Sequence, residues 1–274
     1  MVRIINKTKK DYYWDSVPKN VLQEAKKNWK KSVKLMNKSD YLKDYILNEN
    51  LRGKLADFME KKLRISKKSK ILDIGAGMGA LTIALSRRFN VSATDTNPST
   101  LKFVKYRAEQ EKVNLTLYKV PQLHKGIPFR EKSFDVVVMN GVLEWVAKGV
   151  KGDVRKIQED VLKEIFRIIK QEGLFIFSIE NRLACDWFKG KKSHSSVKYI
   201  DLFPRWIADK ICLMKKGEKY KTYIYSRGTY EKMLKKVGFK DIKFYTAYPS
   251  YQKPKKIVPN KNLFVNSFII VARK

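Results

Sequence analysis

The sequence predicts an α/β fold whose parallel strands end at a common ligand-binding edge. Three observations predict it. A short apolar run at 70–74 passes into three glycines at alternate positions, Gly75, Gly77 and Gly79, and then into a helical pattern. Two further apolar runs, 90–94 and 134–140, read as buried strands of the same sheet. A chain of 274 residues is long enough for one such domain with additions.

The glycine turn has the spacing Asp-x-Gly-x-Gly-x-Gly, which begins at Asp73. Glycine allows positive φ and the close approach of a ligand, so a nucleotide-like molecule can lie against bare backbone at the helix N-terminus. The spacing differs from the Gly-x-Gly-x-x-Gly of pyrophosphate-binding dehydrogenases. Alone, the turn is compatible with an ordinary loop. Asp95, about twenty residues later, strengthens the interpretation as a nucleotide site because an acid there can hydrogen-bond both ribose hydroxyls.

With these strand ends the chain resembles the class I methyltransferases that use S-adenosylmethionine (SAM) and release S-adenosylhomocysteine. The resemblance covers roughly residues 65 to 274. It implies a Rossmann-like, seven-stranded sheet of order 3-2-1-4-5-7-6 with the last strand antiparallel. The cofactor-binding residues that it implies are Asp73, Gly75, Ala76, Gly77, Gly79, Asp95, Thr96, Gln122, Leu123, Asn140 and Gly141.

One stretch departs from the family pattern. After the third predicted strand, 113–119, these enzymes usually place an acidic or polar side chain against the adenine amino group. The stretch from Lys119 to Phe129 contains no acid. Gln122 or a backbone amide near Leu123 is the expected substitute.

The first 64 residues are predicted to form a helical extension. Residues 1–15 look irregular, and an amphipathic helix follows from Pro18, with a lysine-rich outer face. Ser39 or Asp40 caps a second helix. These helices either cover the sheet or close over the cofactor pocket with an aromatic wall, for which the candidates are Tyr12, Trp14 and Tyr41.

The remaining elements follow in the order of a methyltransferase domain, predicted over 65–274. Helices are expected at 80–89, 98–112, 153–171 and 227–237, with Gly173 as the C-cap of the third. Strand 174–179 is the fifth, and 241–247 pairs with 264–272 in an antiparallel hairpin. The segment 183–222 is an insertion that lies over the carboxyl ends of the strands, where substrates bind in open α/β sheets. It is the expected substrate lid.

Three short patches indicate the class of methyl acceptor. They are Gly141–Trp145, Ile179–Arg182, and Tyr248–Tyr251 with a proline soon after. The first excludes the Asp/Asn-Pro-Pro-Tyr/Phe signature of enzymes that methylate amino groups of nucleic acids. Together the patches are similar to methyltransferases of prokaryotic surface-glycan assembly. That resemblance implies transfer to a sugar hydroxyl of a glycan or lipid-linked glycan. The substrate-binding candidates are Trp145, Asn181, Arg182, Arg205, Tyr248, Tyr251 and Lys253.

A hydroxyl acceptor benefits from a general base. Glu144 and Glu180 follow strand ends and are the first candidates, with His194 third; each glutamate is alternatively a capping residue or a partner of a nearby cation. The chain has two isolated cysteines and two histidines, so the sequence predicts neither a disulfide scaffold nor a metal site.

The charge is the unusual property of the composition. Sixty Lys and Arg residues against 27 Asp and Glu residues give a net charge of +33. Such an excess favours an anionic neighbour: a phosphorylated or lipid-linked glycan, RNA, or a bilayer surface. Alternatively, it is a compositional bias spread over solvated faces. The expected location is the cytoplasm, with or without peripheral contact at the inner membrane surface.

Three functions therefore remain open at the level of the sequence. The first is an O-methyltransferase that acts on a glycan or glycolipid. The second is an RNA or protein methyltransferase that uses the basic surface. The third is a non-catalytic SAM-binding module on an anionic surface.

Overall fold

The computed structural model of the protein describes residues 2–7, 16–192, 197–217, 219–220 and 223–274. It is an α/β fold built on one mixed sheet of nine strands in the order β1-β4-β3-β2-β5-β6-β9-β7-β8. The strands are β1 (Arg3–Asn6), β2 (Lys70–Ile74), β3 (Asn90–Asp95), β4 (Thr116–Lys119), β5 (Phe134–Asn140), β6 (Ile169–Glu180), β7 (Lys240–Tyr248), β8 (Lys256–Pro259) and β9 (Ser267–Arg273).

The sheet is parallel from β1 through β6. Strand β9 is antiparallel to both β6 and β7, and β8 is antiparallel to β7. The prediction of a seven-stranded sheet was therefore wrong, because one additional strand lies at each edge. Strand β1 comes from a segment expected to be irregular, and β8 from the connector before the last strand. Both are four-residue edge strands, which are too short to give a clear alternating pattern.

Ten α-helices occur in the part of the chain that the structure describes. They are α1 (Lys19–Lys27), α2 (Trp29–Lys34), α3 (Asp40–Leu47), α4 (Glu49–Asp57), α5 (Ala80–Ser86), α6 (Pro98–Gln110), α7 (Val154–Ile168), α8 (Cys185–Phe188), α9 (Arg205–Lys216) and α10 (Arg227–Val237). None of the helices in this part is long and apolar enough to cross a membrane.

The helix predicted at 227–237 is confirmed as α10, whereas the other predicted helices are shorter or divided. The first N-terminal helix breaks at Asn28, whose extended backbone separates α1 from α2 and whose side chain caps α2. The helix predicted at 153–171 ends at Ile168, and Gly173 is not its cap but lies within β6. A Cβ at Gly173 would lie 2.6 Å from Ile169 Cγ2 and 2.8 Å from the Asp135 carbonyl oxygen, so this strand position has no room for a side chain.

The core lies on both faces of the sheet, because successive side chains of a strand point in opposite directions. Leu72 and Val137 pack with α7 and α10 on one face, whereas Ile71 and Val136 pack with α4 and α5 on the other. Burial on both faces explains why these strands read as continuous apolar runs. The parallel strands consequently present their carboxyl ends at a single edge, and the loops that follow them build the site.

Candidate active site

The glycine turn after β2 is held against β3 by its backbone. The amides of Gly75 and Ala76 both donate to the carbonyl oxygen of Thr94 at 2.9 Å. Gly75 has a φ of +80°, and a Cβ there would lie 2.5 Å from Val142 Cγ2. Only glycine fits this position without strain, because it meets both the positive φ and the close contact.

Asp73, two residues before the turn, is a buried carboxylate that faces the same edge. Its Oδ2 accepts a 2.6 Å hydrogen bond from the hydroxyl of Thr82 on α5. Burial and the negative charge of Asp95 raise the pKa of Asp73, the Thr82 hydrogen bond lowers it, and together they bring it to about 6. A cation beside Asp73 would therefore stabilise its ionised form.

Asp95 ends β3 and is anchored by backbone donors. Its Oδ2 accepts from the amide of Gly77 at 3.0 Å, and its Oδ1 accepts from the amide of Asn97 at 2.9 Å. Burial raises the pKa of Asp95, and these backbone hydrogen bonds work in the opposite direction. Each carboxylate oxygen has further acceptor capacity, so the side chain can also receive hydroxyl groups of a ligand.

These residues line a cavity of about 550 Å³ at the carboxyl edge of the sheet. All the predicted cofactor residues except Gly79 are part of its wall. Gly79 begins α5 with a φ of +75°, and a Cβ there would lie 3.2 Å from the methyl groups of Val104. Gly79 therefore sets the packing of α5 on α6 rather than contacting the cavity.

The loop after β4 contributes Gln122 and Leu123 to the cavity, at the place where this chain lacks the acid of the family pattern. Leu123 opens a short 3₁₀ turn, and the neighbouring amide of Val120 donates to the Asp95 carbonyl oxygen at 3.1 Å. Both expected substitutes for the missing acid are therefore beside the cavity. A neutral amide side chain can donate and accept, which is what an adenine edge requires.

The opposite end of the cavity is formed by Asn140, Gly141, Val142, Trp145, Val146, Lys148 and two residues of α3, Leu42 and Tyr45. The Asn140 amide donates to the Tyr45 hydroxyl at 3.4 Å. The guanidinium of the buried Arg52 lies 3.7 Å from the centre of the Tyr45 ring. An N-terminal helix thus supplies an aromatic wall, while α1 and α2 pack against α6.

Tyr45 is the aromatic residue that the described part of the chain places in this wall, and it is not among the three predicted candidates. Tyr12 and Trp14 lie outside the described residues, and so does the side chain of Tyr41. In the sequence Tyr45 belongs to an apolar stripe at helical spacing, and such a pattern does not separate a cavity wall from a packed core.

Tyr251 lies immediately behind Gly141. A Cβ at Gly141 would come within 2.8 Å of the Tyr251 hydroxyl, and the φ of Gly141 is +68°. Burial raises the pKa of Tyr251 well above its ordinary value, and the negative charges of Glu144 and Glu180 raise it further. Tyr251 is therefore a neutral phenol close to both glutamates. Its carbonyl oxygen accepts from Arg52 Nη1 at 3.2 Å, which joins it to the N-terminal helices.

The predicted general bases do not line the cavity. Glu144 is buried, and its carbonyl oxygen accepts from the Tyr223 amide at 3.2 Å. Glu180 is half-buried at the end of β6, and its carbonyl oxygen accepts from the Tyr230 hydroxyl at 3.3 Å. His194 lies outside the described residues.

Among the predicted substrate residues, Trp145 lines the cavity, whereas Asn181 and Arg182 hold the insertion in place. The Asn181 amide donates to the carbonyl oxygens of Leu263 and Val265 at 2.7 and 2.8 Å. The Arg182 guanidinium donates to carbonyl oxygens of residues 201–203, at the end of a 3₁₀ turn.

The other predicted substrate residues also lie outside the cavity wall. Arg205 is stacked 3.5 Å from the centre of the Tyr223 ring, and burial lowers its pKa. Lys253 forms an ion pair with Asp44 of α3, and Tyr248 is exposed. The cation that the structure does place in the wall is Lys148, whose ammonium lies 5.3 Å from the centre of the Trp145 ring. The sequence contains so many lysines that nothing distinguishes this one beforehand.

Comparison with known proteins agrees with this geometry. Residues 72–177 match the family model of the methyltransferase domain. An uncharacterized methyltransferase of Schizosaccharomyces pombe is 30% identical over 137 residues, which are 49% of this chain and 48% of that protein. A demethylmenaquinone methyltransferase of Lactobacillus johnsonii is 30% identical over 119 residues, 41% of this chain and 44% of that one. The chain thus spans about half the length of the curated relatives that it matches.

Solved structures extend the similarity beyond the matched segment at the level of the fold. A SAM-dependent methyltransferase of Methanosarcina mazei superposes with a TM-score of 0.55 at 19% identity, over 78% of this chain and 95% of that one. Residues 72–177 therefore form a methyltransferase domain, and the chain shares the Rossmann-like fold of a solved SAM-dependent methyltransferase.

Proposed function

We propose that the whole protein is a SAM-dependent methyltransferase whose acceptor is a sugar hydroxyl of a glycan or lipid-linked glycan. The single observation that carries the first half is the 550 Å³ cavity, in which Asp73, the Gly75–Gly77 backbone, Asp95 and Gln122 converge from three strand ends. The acceptor half rests on the resemblance of three short patches to glycan methyltransferases and on the composition of the far wall.

The polar groups of the cavity fit the chemistry of SAM. Asp95 offers carboxylate oxygens for the two ribose hydroxyls, and Gln122 offers an amide for the adenine edge. SAM is a cation, and its positive charge would stabilise the ionised form of the buried Asp73, whose pKa is raised to about 6. Gly75 keeps the turn open, because a side chain there would strike Val142.

When bound, SAM supplies a methyl group already activated by its sulfonium, so the protein has to align the acceptor and exclude water. Trp145, Tyr45 and Val142 form an apolar and aromatic surface at the end of the cavity where the acceptor enters. Lys148 is the cation of that wall and would face a phosphate on the acceptor.

A hydroxyl acceptor must lose its proton as the carbon–oxygen bond forms and the carbon–sulfur bond breaks. Glu144 and Glu180 are the candidates to receive it, because the negative charges of both act on Tyr251, whose hydroxyl packs against Gly141. The proposed link between the acceptor and these carboxylates is Tyr251. In this scheme Tyr251 positions the proton and a glutamate receives it.

A second candidate function is methylation of RNA or protein. The net charge of +33 and the exposed lysines on α1 and α2 favour it. A non-catalytic SAM-binding module is the third, because neither glutamate reaches the cavity wall.

Transfer of labelled methyl groups from SAM into a fractionated cell extract tests these alternatives. We expect label in the glycolipid or polysaccharide fraction, and none when Asp95→Ala protein is used. Label in RNA or protein would contradict the acceptor and leave the methyltransferase activity standing. Label in no fraction, with SAM binding intact, would contradict the activity itself.

A further inference from the structure

Helix α9, in the insertion after β6, exposes an apolar face to solvent. Trp206, Leu213 and Met214 are 64, 51 and 87% exposed, which is unusual for side chains of this size. At 100° per residue, positions 206, 210, 213 and 214 share one side of the helix, so these three residues and Lys210 form a single surface. We call this set, Trp206, Lys210, Leu213 and Met214, the α9 face.

The other side of α9 is fully used for packing. Ala208 and Cys212 are buried against Val197, Ile200 and Tyr220. Arg205 and Asp209 pair with each other at 3.0 Å. The helix is therefore anchored by one face, and the α9 face is directed away from the protein.

The charges around the α9 face are positive. The Lys210 ammonium lies 5.6 Å from the centre of the Trp206 ring, and Lys215 and Lys216 are exposed at the end of the helix. The acid of this helix, Asp209, is turned to Arg205 and to the amide of Tyr220. Tryptophan and aliphatic side chains bordered by lysines are the composition of helices that lie in the interface of an anionic bilayer.

We propose that the α9 face docks on an anionic lipid bilayer, with Trp206, Leu213 and Met214 in the headgroup–acyl boundary and the lysines on lipid phosphates. A second copy of this chain fits less well, because each copy carries the same +33 charge. RNA also fits less well, since aliphatic Leu213 and Met214 have no partner there and lysine is the weaker fork for phosphate. The inference rests on the proposed function in one respect: a lipid-linked acceptor lies in the same interface.

The structure connects this face to the cavity. Arg205 at the start of α9 stacks on Tyr223, and the Tyr223 amide donates to the Glu144 carbonyl oxygen. Gln158 of α7 fixes the junction by donating to the carbonyl oxygens of Leu143 and Tyr223 at 2.9 and 3.0 Å. Trp145, the next residue after Glu144, lines the cavity. Docking would thus hold the acceptor end of the cavity next to the bilayer.

Co-sedimentation with phosphatidylcholine vesicles, with and without phosphatidylglycerol, tests the proposal. We expect the full-length protein to bind the anionic vesicles in a salt-dependent manner. The double substitution Trp206→Ser and Met214→Ser should weaken that binding by about tenfold or more, since two anchoring side chains are lost. The control is Leu35→Ser, an apolar residue that is 55% exposed on another surface, and this variant should bind as the wild type does.

Two further measurements locate the contact. Brominated lipid should quench Trp206 fluorescence, seen as the difference between wild type and Trp206→Phe. Lys210→Glu should weaken binding to anionic vesicles more than Lys102→Glu, an exposed lysine on α6. Equal effects of the α9 and control substitutions would overturn the proposal, as would RNA binding that the Trp206→Ser and Met214→Ser protein loses.

SAM binding by calorimetry is measured on every variant. Vesicle binding that fails while SAM binds normally overturns only the docking surface. SAM binding that fails in the wild type overturns the proposed function instead.

Discussion

The two ends of the cavity are built in different ways. At the cofactor end, Asp73, Gly75, Gly77 and Asp95 come from 23 consecutive residues, numbered 73 to 95, and the backbone amides of the turn bind it to the end of β3. At the acceptor end, Tyr45, Asn140 and Tyr251 come from three distant segments; the Asn140 amide donates to the Tyr45 hydroxyl, and Arg52 joins Tyr45 to the Tyr251 carbonyl oxygen. The cofactor end is formed by one short segment of the chain, whereas the acceptor end depends on how separate segments pack. Substitutions should therefore divide into those that affect SAM binding and those that affect transfer alone.

The largest expected effect is at the cofactor end. Asp95→Ala should weaken SAM binding about 100-fold, because it removes a charged acceptor and releases the amides of Gly77 and Asn97. Isothermal calorimetry measures this. Asp160→Ala, which removes an exposed acid on α7, should bind SAM normally. A small effect of Asp95→Ala would contradict the assignment of this end of the cavity to SAM.

Gly75→Ala should come second. The Cβ would lie 2.5 Å from Val142 Cγ2 in a backbone of positive φ, so we expect a loss of about 2–4 kcal/mol in unfolding free energy. Chemical denaturation measures it. Gly53→Ala on α4, where a Cβ meets nothing within 4 Å, should instead stabilise the protein by about 0.5–1 kcal/mol. If Val142→Ala does not partly rescue Gly75→Ala, steric contact is not the cause.

Tyr45→Ala probes the acceptor end. It removes an aromatic wall and the ring on which Arg52 stacks, so we expect transfer to fall about tenfold while SAM affinity changes less than threefold. Labelled transfer and calorimetry on the same preparations separate the two quantities. Tyr248→Ala, an exposed tyrosine outside the cavity wall, should leave both within twofold. Equal losses of binding and transfer in Tyr45→Ala would contradict the division between the two ends.

A pH dependence should follow from Asp73, whose pKa burial raises from 3.8 to about 6. Because the folded protein binds this proton more tightly than the unfolded chain, Asp73 should make the ligand-free protein less stable as pH rises from 4 to 6. SAM is a cation and favours the ionised carboxylate, so its affinity should fall several-fold between pH 7 and pH 5. Calorimetry across this range checks it, and Asp73→Asn should give a flatter profile.

The smallest expected effect is at the outer rim of the acceptor end. Lys253→Ala breaks a partly exposed ion pair with Asp44 and should cost about 1 kcal/mol or less, with transfer within twofold. Thermal unfolding and labelled transfer measure it. A larger loss of transfer would mean that this ion pair controls the position of α3.

The same difference explains which features the sequence predicts. The glycine turn, Asp95 and the Asn140–Gly141 bend follow strands with strong patterns, so their convergence could be expected. Tyr45 and Lys148 could not, because they belong to an amphipathic helix and to a lysine-rich surface. Asn181 and Arg182 have the residue types of a substrate site, yet their side chains bind backbone carbonyl groups. Asn181 binds those of Leu263 and Val265 before β9, and Arg182 binds those of the insertion. Edge strands β1 and β8 were missed because four residues carry too little pattern.

The bond between Arg52 and the Tyr251 carbonyl oxygen joins residues 199 positions apart. Loop closure over such a distance is slow and entropically unfavourable, whereas the turn and strands of residues 73 to 95 form over short separations. We expect amide hydrogen exchange during refolding to protect β2 and β3 before the backbone around Tyr251. The molecule would then acquire the ability to hold its methyl donor early, and selectivity for an acceptor only when its two distant segments have met.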